Sequence, residues 1–347
     1  MNYIETINNI LNPTDTHKIK VLDLFAGCGG LALGFESAGF VTYGYEMNKQ
    51  ACESYNYNLT GSCTEVKLTV DTEFPEADVI IGGPPCQPFS LGGKQKGIYD
   101  SRDGFPIFIS AVKRVKPKIW MFENVKGLLH KNKWYFDEII KELESLGYIV
   151  EYKLLNAKDY GVPQNRERVI VVGHKGVFEF PEKKKYKVTA GEALGEMAHS
   201  VTEESKFLTK SMDEYIAKYE KASKCKNPRD LHLDKPARTL TCRNLGGATG
   251  DMHRIKLPDG RRRRLSVREA ARLQSFPDWF EFKGDSDNKA FDQIGNAVPP
   301  IMAYEIAKCI KAYLDNDTEK NKDKISKFKN DIEQITIFDY IAMSSDI

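Results

Sequence analysis

The chain has no C-x-x-C pair, and its seven cysteines are scattered singly. That argues against both a disulfide framework and a structural zinc site, so metal is not expected in the chemistry. No apolar run approaches the roughly 18 residues of a membrane helix. The N-terminus, MNYIETINNI, also lacks the basic-then-apolar order of a signal peptide. A cytoplasmic protein is expected. An excess of one charge is missing too: the formal +2 is the small difference between 51 basic and 49 acidic side chains. The total therefore neither demands nor excludes a polyanionic partner, and local clustering must decide. What the chain does have is 347 residues with 41% apolar content, enough core for one large domain or two ordinary ones.

Residues 1 to 17 are polar and read as a short lead-in helix or loop. KIKVLDLF, Lys18 to Phe25, reads as a buried parallel strand. AGCGG and the helix-like LALGFESA follow at once, with Gly39 placed to end the helix. Such a glycine loop lets backbone N–H groups and a helix N-terminus approach a ligand, and the strand VTYGYE ends in Glu46 about 20 residues further on, where an acid holds ribose hydroxyls. Alone, a glycine loop is equally a tight turn. DVIIGG, a helix from Phe105 to Val115, the strand KIWMFENV, a helix from Trp134 to Leu146, and the strands YIVEYKLLN and RVIVVG continue the rhythm. These alternations predict an α/β fold, a Rossmann-like doubly wound, mostly parallel sheet. Ligands bind beyond the carboxyl ends of such strands, where Phe25 to Gly30, Glu46, Gly83 to Cys86 and Glu123 to Val125 all fall.

The stretch Ile80 to Ser90, IIGGPPCQPFS, runs a strand into a stiff turn carrying one thiol. A displayed Cys86 is a nucleophile candidate only if groups elsewhere complete its chemistry; otherwise it is a small buried hydrophobe. After about Phe180 the texture changes. EKKKYK is a charge run, and residues 185 to 260 show little helical period while collecting Asn, Gly, Thr, Arg and Lys. PARTLTCRN reads as a strand and HRIKLPDGRRRRLS as a hairpin turned at Pro258 to Gly260. SVRE is a capping box opening the helix REAARLQSF. IGNAVPP leads into an apolar-periodic helix, Ile301 to Leu314, whose character matches the first part. The expected organisation is a first part over 1–180, an inserted small domain over 181–289, and completion of the large domain over 290–347. The tail is Lys-rich, with ITIFDYI near the terminus as a segment able to pack back.

The series DLFAGCGG, GGPPCQPFS, ENV, QNRERV, REAARLQSFP and IGNAVPP, in this order and spanning about Lys18 to Leu314, resembles the bacterial-type DNA (cytosine-5)-methyltransferases. The resemblance implies an S-adenosyl-L-methionine-dependent enzyme acting on double-stranded DNA in the cytoplasm at the nucleoid, as a monomer, with a cognate restriction endonuclease as a separate chain where one exists. Carbon 5 of cytosine is a poor nucleophile, so a group must first add at carbon 6. By resemblance this is Cys86. Glu123 then serves ring nitrogen 3, with Asn124 and Val125 holding it in place. Arg166 and Arg168 are expected to contact the base oxygen and to orient Glu123 and the backbone; taken alone they read as a surface ion-pair cluster with Glu167.

The resemblance further implies cofactor contacts from Phe25, Ala26, Gly27, Gly29, Gly30, Glu46, Met47, Glu65, Val66, Pro85, Asn296 and Val298. Two of these depart from the family's habit: Glu65 stands where an Asp is common, and Met47 where an aromatic is frequent. A cytosine within a duplex must be flipped out to meet Cys86. The basic, glycine-rich stretch Leu91 to Gly104 suits a lid on DNA, and equally an ordinary loop. Gln87, Ser90, Lys94 and Arg102 are expected at the DNA, as are Thr239 and Leu240 of the small target recognition domain with Arg243, Arg254 and Arg261. Four consecutive arginines, Arg261 to Arg264, read alone as a solvated face. The rivals are a tRNA cytosine-5 methyltransferase, which would carry a much reduced recognition segment, and a catalytically inactive DNA-binding relative, which would lack Cys86, Glu123 or the glycine loop. A nicotinamide dehydrogenase shares the sheet but not the PPCQ and ENV pair.

Overall fold

The computed structural model describes residues 2–13, 19–85, 103–130, 132–222, 224, 229–247 and 250–316. Cys86, Gln87, Ser90, Lys94 and Arg102, most of the expected lid and the ITIFDYI tail lie outside them. The strands of the main sheet are β1 (Lys20–Leu24), β2 (Val41–Glu46), β3 (Ser62–Glu65), β4 (Val79–Gly82), β5 (Ile119–Val125), β6 (Ile149–Asn156) and, after the two-residue β7 (Gln164–Asn165), β8 (Glu167–His174). They run in the order β3-β2-β1-β4-β5-β8-β6. Pairs from β3 to β5 are parallel, whereas β8 is antiparallel to both β5 and β6. The doubly wound, mostly parallel sheet expected from the alternating pattern is therefore present. The chain reverses its direction of winding between β1 and β4, which makes the crevice beyond their carboxyl ends the switch point.

Alternation along the strands feeds two layers. Val21, Met121 and Ile170 join one core with helices α2 (Gly30–Ser37) and α3 (Lys49–Asn58), which follow the lead-in helix α1 (Tyr3–Ile10). Leu22, Trp120, Phe122 and Val169 join the other with α4 (Phe105–Val115) and α5 (Lys133–Ser145). Gly39, with φ 99°, ends α2 as expected.

The middle of the chain adds α6 (Ala190–Leu194), α7 (Lys210–Ala222), β9 (Ala237–Arg238), α8 (Cys242–Gly246), β10 (Arg254–Lys256), β11 (Arg262–Arg264), α9 (Val267–Leu273) and α10 (Asp287–Asn296). The expected hairpin exists, with Arg254 opposite Arg264 and Gly260 at φ 88° in its turn. Ser266 and Glu269 form the capping box. Two expectations fail here. PARTLTCRN gives only two strand residues and then a short helix, because Thr241 caps α8 through the Asn244 N–H. Helix α7 lies where little helical period was read: it buries only Ile216 and is held instead by ion pairs, Glu220 to Arg254 at 2.8 Å and Asp213 to Arg262 at 3.1 Å. The last helix, α11 (300–316), returns to the first core through Ile301, Ile306 and Ile310. Among the described residues no helix is long and apolar enough to cross a membrane.

Candidate active site

The turn after β1 places Phe25 and Gly27 at φ 60° and 56° and Gly29 at 90°, so the loop coils tightly before α2 begins. Glu46, at the end of β2, closes this loop: one carboxylate oxygen accepts the Gly27 N–H at 2.9 Å and the other the Asn48 N–H at 2.7 Å. Gly30 has no room for a side chain, since a Cβ there would stand 2.6 Å from the Val298 carbonyl oxygen. The glycine loop is thereby clamped onto the IGNAVPP segment, far away in sequence. On its other side Gly27 meets open space. Met47, Glu65 and Asn296 are exposed, Phe25, Glu46, Val66 and Pro85 half-buried, and Ala26, Gly29, Gly30 and Val298 buried. An open glycine turn, an anchored carboxylate with lone pairs to spare and exposed flanking side chains fit a nucleoside-bearing cofactor. Cys28 in the same loop is no nucleophile, because burial pushes its thiol up to about 12.

The second half of the site is built by β4, β5 and β8. Glu123 Oε1 pairs with Arg168 Nε at 2.6 Å, both side chains 12% exposed. Glu123 sits opposite Ile170 and Arg168 opposite Val125, so the two side chains are diagonal neighbours on one face. The other Glu123 oxygen lies 3.8 Å from where a Cβ on Gly83 would be, which puts the carboxylate beside the strand end leading to Cys86. Asn124 does not hold Glu123, as was expected of it. Its Nδ2 donates to the Pro84 carbonyl at 2.9 Å and so fixes the turn. Gly104 N–H donates to the Pro85 carbonyl at 3.0 Å, bringing together the two residues that flank segment 86–103. Tyr135 donates its hydroxyl to buried Asp103 just before that bond.

Three expected contacts are displaced. Arg166 is 1% exposed and faces the interior, donating to the carbonyls of Leu240 at 2.7 Å and of Gly295 and Ala297 at 3.0 Å each. It therefore braces backbone, its guanidinium being held by three main-chain carbonyls. Burial, with Arg168 nearby, lowers it to about 9, so it stays a cation at neutral pH. Leu240 is fully buried and Arg254 likewise, the latter paired with Glu220 and with Asp230 at 2.6 Å. Neither side chain is open to DNA. The arginine run is also turned inward: Arg262 meets Asp213 and Asp230, Arg263 meets Glu269, and Arg264 donates to the carbonyls of Leu245 and Gly246. Arg261 is exposed, pairing with Asp259 and lying over Phe207. Arg243 is exposed on α8, and Thr239 donates to the Asn165 carbonyl at 2.6 Å. The sequence reading missed Gln164 and Gln274, both 0% exposed and both within this joint; an isolated glutamine in a motif gives no signal that its amide is buried.

The strand order with β8 antiparallel between β5 and β6, the glycine loop after β1 and the acid ending β2 together fit the class of S-adenosylmethionine-dependent methyltransferases. Residues 19–312 match the family described as C-5 cytosine-specific DNA methylase, and the chain belongs to that family. It is 54% identical to the Type II methyltransferase M.AplI of Arthrospira platensis, over 93% of this chain and 94% of that protein. To the Type II methyltransferase M.FnuDI of Fusobacterium nucleatum it is 36% identical, over 92% and 100%. Among solved structures the Entamoeba histolytica methyltransferase EhMeth superposes with a TM-score of 0.69 at 18% identity, over 86% of this chain and 99% of that one, a likeness of fold alone. The chain is thus a DNA (cytosine-5)-methyltransferase, with S-adenosylmethionine as its methyl donor.

Proposed function

We propose that Cys86 adds through its sulfur to carbon 6 of a cytosine flipped from the duplex, and that Glu123 and Arg168 receive the base as one unit. The observation that carries this reading is the Glu123–Arg168 pair at 2.6 Å, set beside the strand end from which Cys86 follows. When the C6–S bond forms, electron density moves into the ring toward carbon 5 and nitrogen 3. Glu123 meets that charge at nitrogen 3 by sharing a proton, and Arg168 fixes the carboxyl while offering its guanidinium to the base oxygen. Arg166 acts at one remove, by bracing the backbone of Leu240, Gly295 and Ala297. Bound S-adenosylmethionine supplies an electrophilic methyl group. Phe25, Ala26, Gly27, Gly29 and Gly30 would hold its methionine end, Glu46 the ribose hydroxyls, and Met47, Glu65, Val66 and Pro85 the adenine, with Asn296 and Val298 closing the wall. Once carbon 5 carries that methyl group, loss of its proton to water lets the C6–S bond break, which restores the aromatic ring and the Cys86 thiolate.

The inserted region over 181–289 reads a site of roughly four to six base pairs, with Thr239, Arg243 and Arg261 as its contacts and Gln87, Ser90, Lys94 and Arg102 on the flipped nucleotide's side. The similarity to Type II methyltransferases supports a protective role beside a restriction endonuclease, and we take the chain to act at the nucleoid as a monomer. Bisulfite sequencing of DNA from cells expressing this chain tests activity and target together. One methylated cytosine context is expected, and unmodified DNA would refute the assignment.

A further inference from the structure

The segment expected to meet DNA and the wall expected to hold the cofactor are joined by buried amides. Gln164, on β7, accepts the Leu240 N–H on Oε1 at 2.9 Å and donates through Nε2 to the Leu273 carbonyl at 3.2 Å and to Gln274 Oε1. Gln274, at the end of α9, donates through Nε2 to the carbonyls of Ile294 at 3.1 Å and Ala297 at 2.7 Å. Every amide hydrogen and oxygen of the pair is thereby engaged, and these bonds fix which end of each amide is nitrogen. Ala297 lies between Asn296 and Val298 and presses the glycine loop, its own Cβ being 3.1 Å from where a Cβ on Gly30 would stand. The same two segments touch again at α8. A Cβ on Gly295 would stand 2.4 Å from the Cys242 nitrogen, and the Cys242 thiol donates to Asn296 Oδ1 at 3.2 Å.

A displacement of Leu240 has little slack to dissipate in. If Leu240 moved and Gln164 stayed, a buried N–H and a buried amide oxygen would be left unpaired, so the lower-energy response is for Gln164, Gln274 and the Ala297 carbonyl to move with it. We propose that Gln164 and Gln274 are positioning residues that couple engagement of DNA at Thr239 to Arg243 with cofactor binding at Asn296 to Val298. This rests on the roles given above to those two segments. Coupling of this kind is reciprocal: DNA tightens the cofactor by the factor with which the cofactor tightens DNA.

The test measures the affinity of S-adenosylhomocysteine, a non-reacting stand-in for the donor, with and without sheared genomic DNA from a strain lacking cytosine-5 methylation. For the wild-type chain the affinity is expected to rise at least fivefold on adding DNA. In Gln164→Met and Gln274→Met, which keep side-chain length and lose the amide, the ratio is expected to fall to within about twofold of unity. Gln274→Glu, which keeps the shape and the Oε1 acceptor, gives the same reading if the Met variant does not fold. A purely structural brace would lower the melting temperature and leave the ratio intact, and that result overturns the proposal. So does a wild-type ratio of one. Methyl transfer by the wild-type chain to the same DNA is followed in parallel, so that an intact ratio in variants of an active enzyme removes the coupling alone, whereas an inactive wild type removes the roles on which it rests.

Discussion

Replacing Arg168 by methionine removes a guanidinium from a carboxylate 2.6 Å away while keeping most of the side chain's bulk. At an effective dielectric of about 20 the Coulomb attraction over that distance is about 6 kcal/mol. Side chains that are 12% exposed regain some water when separated, so we take about half of it, about 3 kcal/mol, as the loss, in the range found when one partner of a buried pair is removed. If that attraction orients Glu123 toward the base, the methyl-transfer step slows by about 10²-fold, at about 1.4 kcal/mol per factor of ten. Single-turnover transfer of labelled methyl groups to DNA measures this without interference from product release. Arg168→Lys should recover only part of the rate, because an ammonium is a point charge without the planar fork. Glu123→Gln alone should slow turnover by at least about 10²-fold. The double variant Glu123→Gln/Arg168→Met should be little slower than the worse single variant, since both remove one interaction. A rate for Arg168→Met within threefold of wild type, or fully multiplicative effects in the double variant, would refute the reasoning.

Cys86→Ala should abolish methyl transfer while duplex binding by electrophoretic shift persists, and transfer at the wild-type rate would remove the nucleophile assignment. Arg254→Met should lower stability to chemical denaturation by about 3 kcal/mol or more, because Glu220 and Asp230 are left without their buried partner. If the folded variant instead binds DNA with a shallower salt dependence at unchanged stability, Arg254 is a phosphate contact after all. Asp23 is buried, and burial, followed by the charges of Glu46 and Glu36, raises its carboxyl well above the usual range. Above about pH 4 the unfolded chain releases this proton while the folded chain keeps it, so this group lowers stability as pH rises through that window, by at most about 1.4 kcal/mol per pH unit. Asp23→Asn should therefore gain melting temperature over wild type as pH increases from 4 to 7. A constant difference across that range would show that the folded carboxyl is ionised throughout.

The central strands β1, β4, β5 and β8 were legible because they are mostly apolar, buried runs, whereas the edge strand β3, SCTE, buries a single residue and gave no such signal. Phe105 to Val115 was read as a helix with the bounds it has. Helix α7 was not legible because its stability comes from Glu220, Asp213 and their arginine partners and not from an apolar stripe. The same physics misled the reading of the arginine-rich hairpin: charge in a sequence says nothing of where its countercharge lies, and Asp230 and Glu269 fold back to meet it. In the site, the strand, glycine loop and helix pattern pointed to Phe25 to Gly30, and the family resemblance to Glu123 and to Arg166 and Arg168 alike. Which of two neighbouring arginines turns inward was decided by a partner, the Leu240 carbonyl, some seventy residues further on.

Gln164 and Arg166 grip Leu240 by its main-chain N–H and carbonyl. Groups that every residue except proline possesses form this grip, so it places little demand on the identity of neighbouring side chains. The acid–guanidinium pair, meanwhile, is closed between β5 and β8 before the inserted region begins. If the inserted region reads DNA as proposed, a descendant of this chain can rewrite or resize what lies between His174 and Ser266 outside Thr239 to Arg243, acquiring a new sequence preference, without disturbing the acid–guanidinium pair.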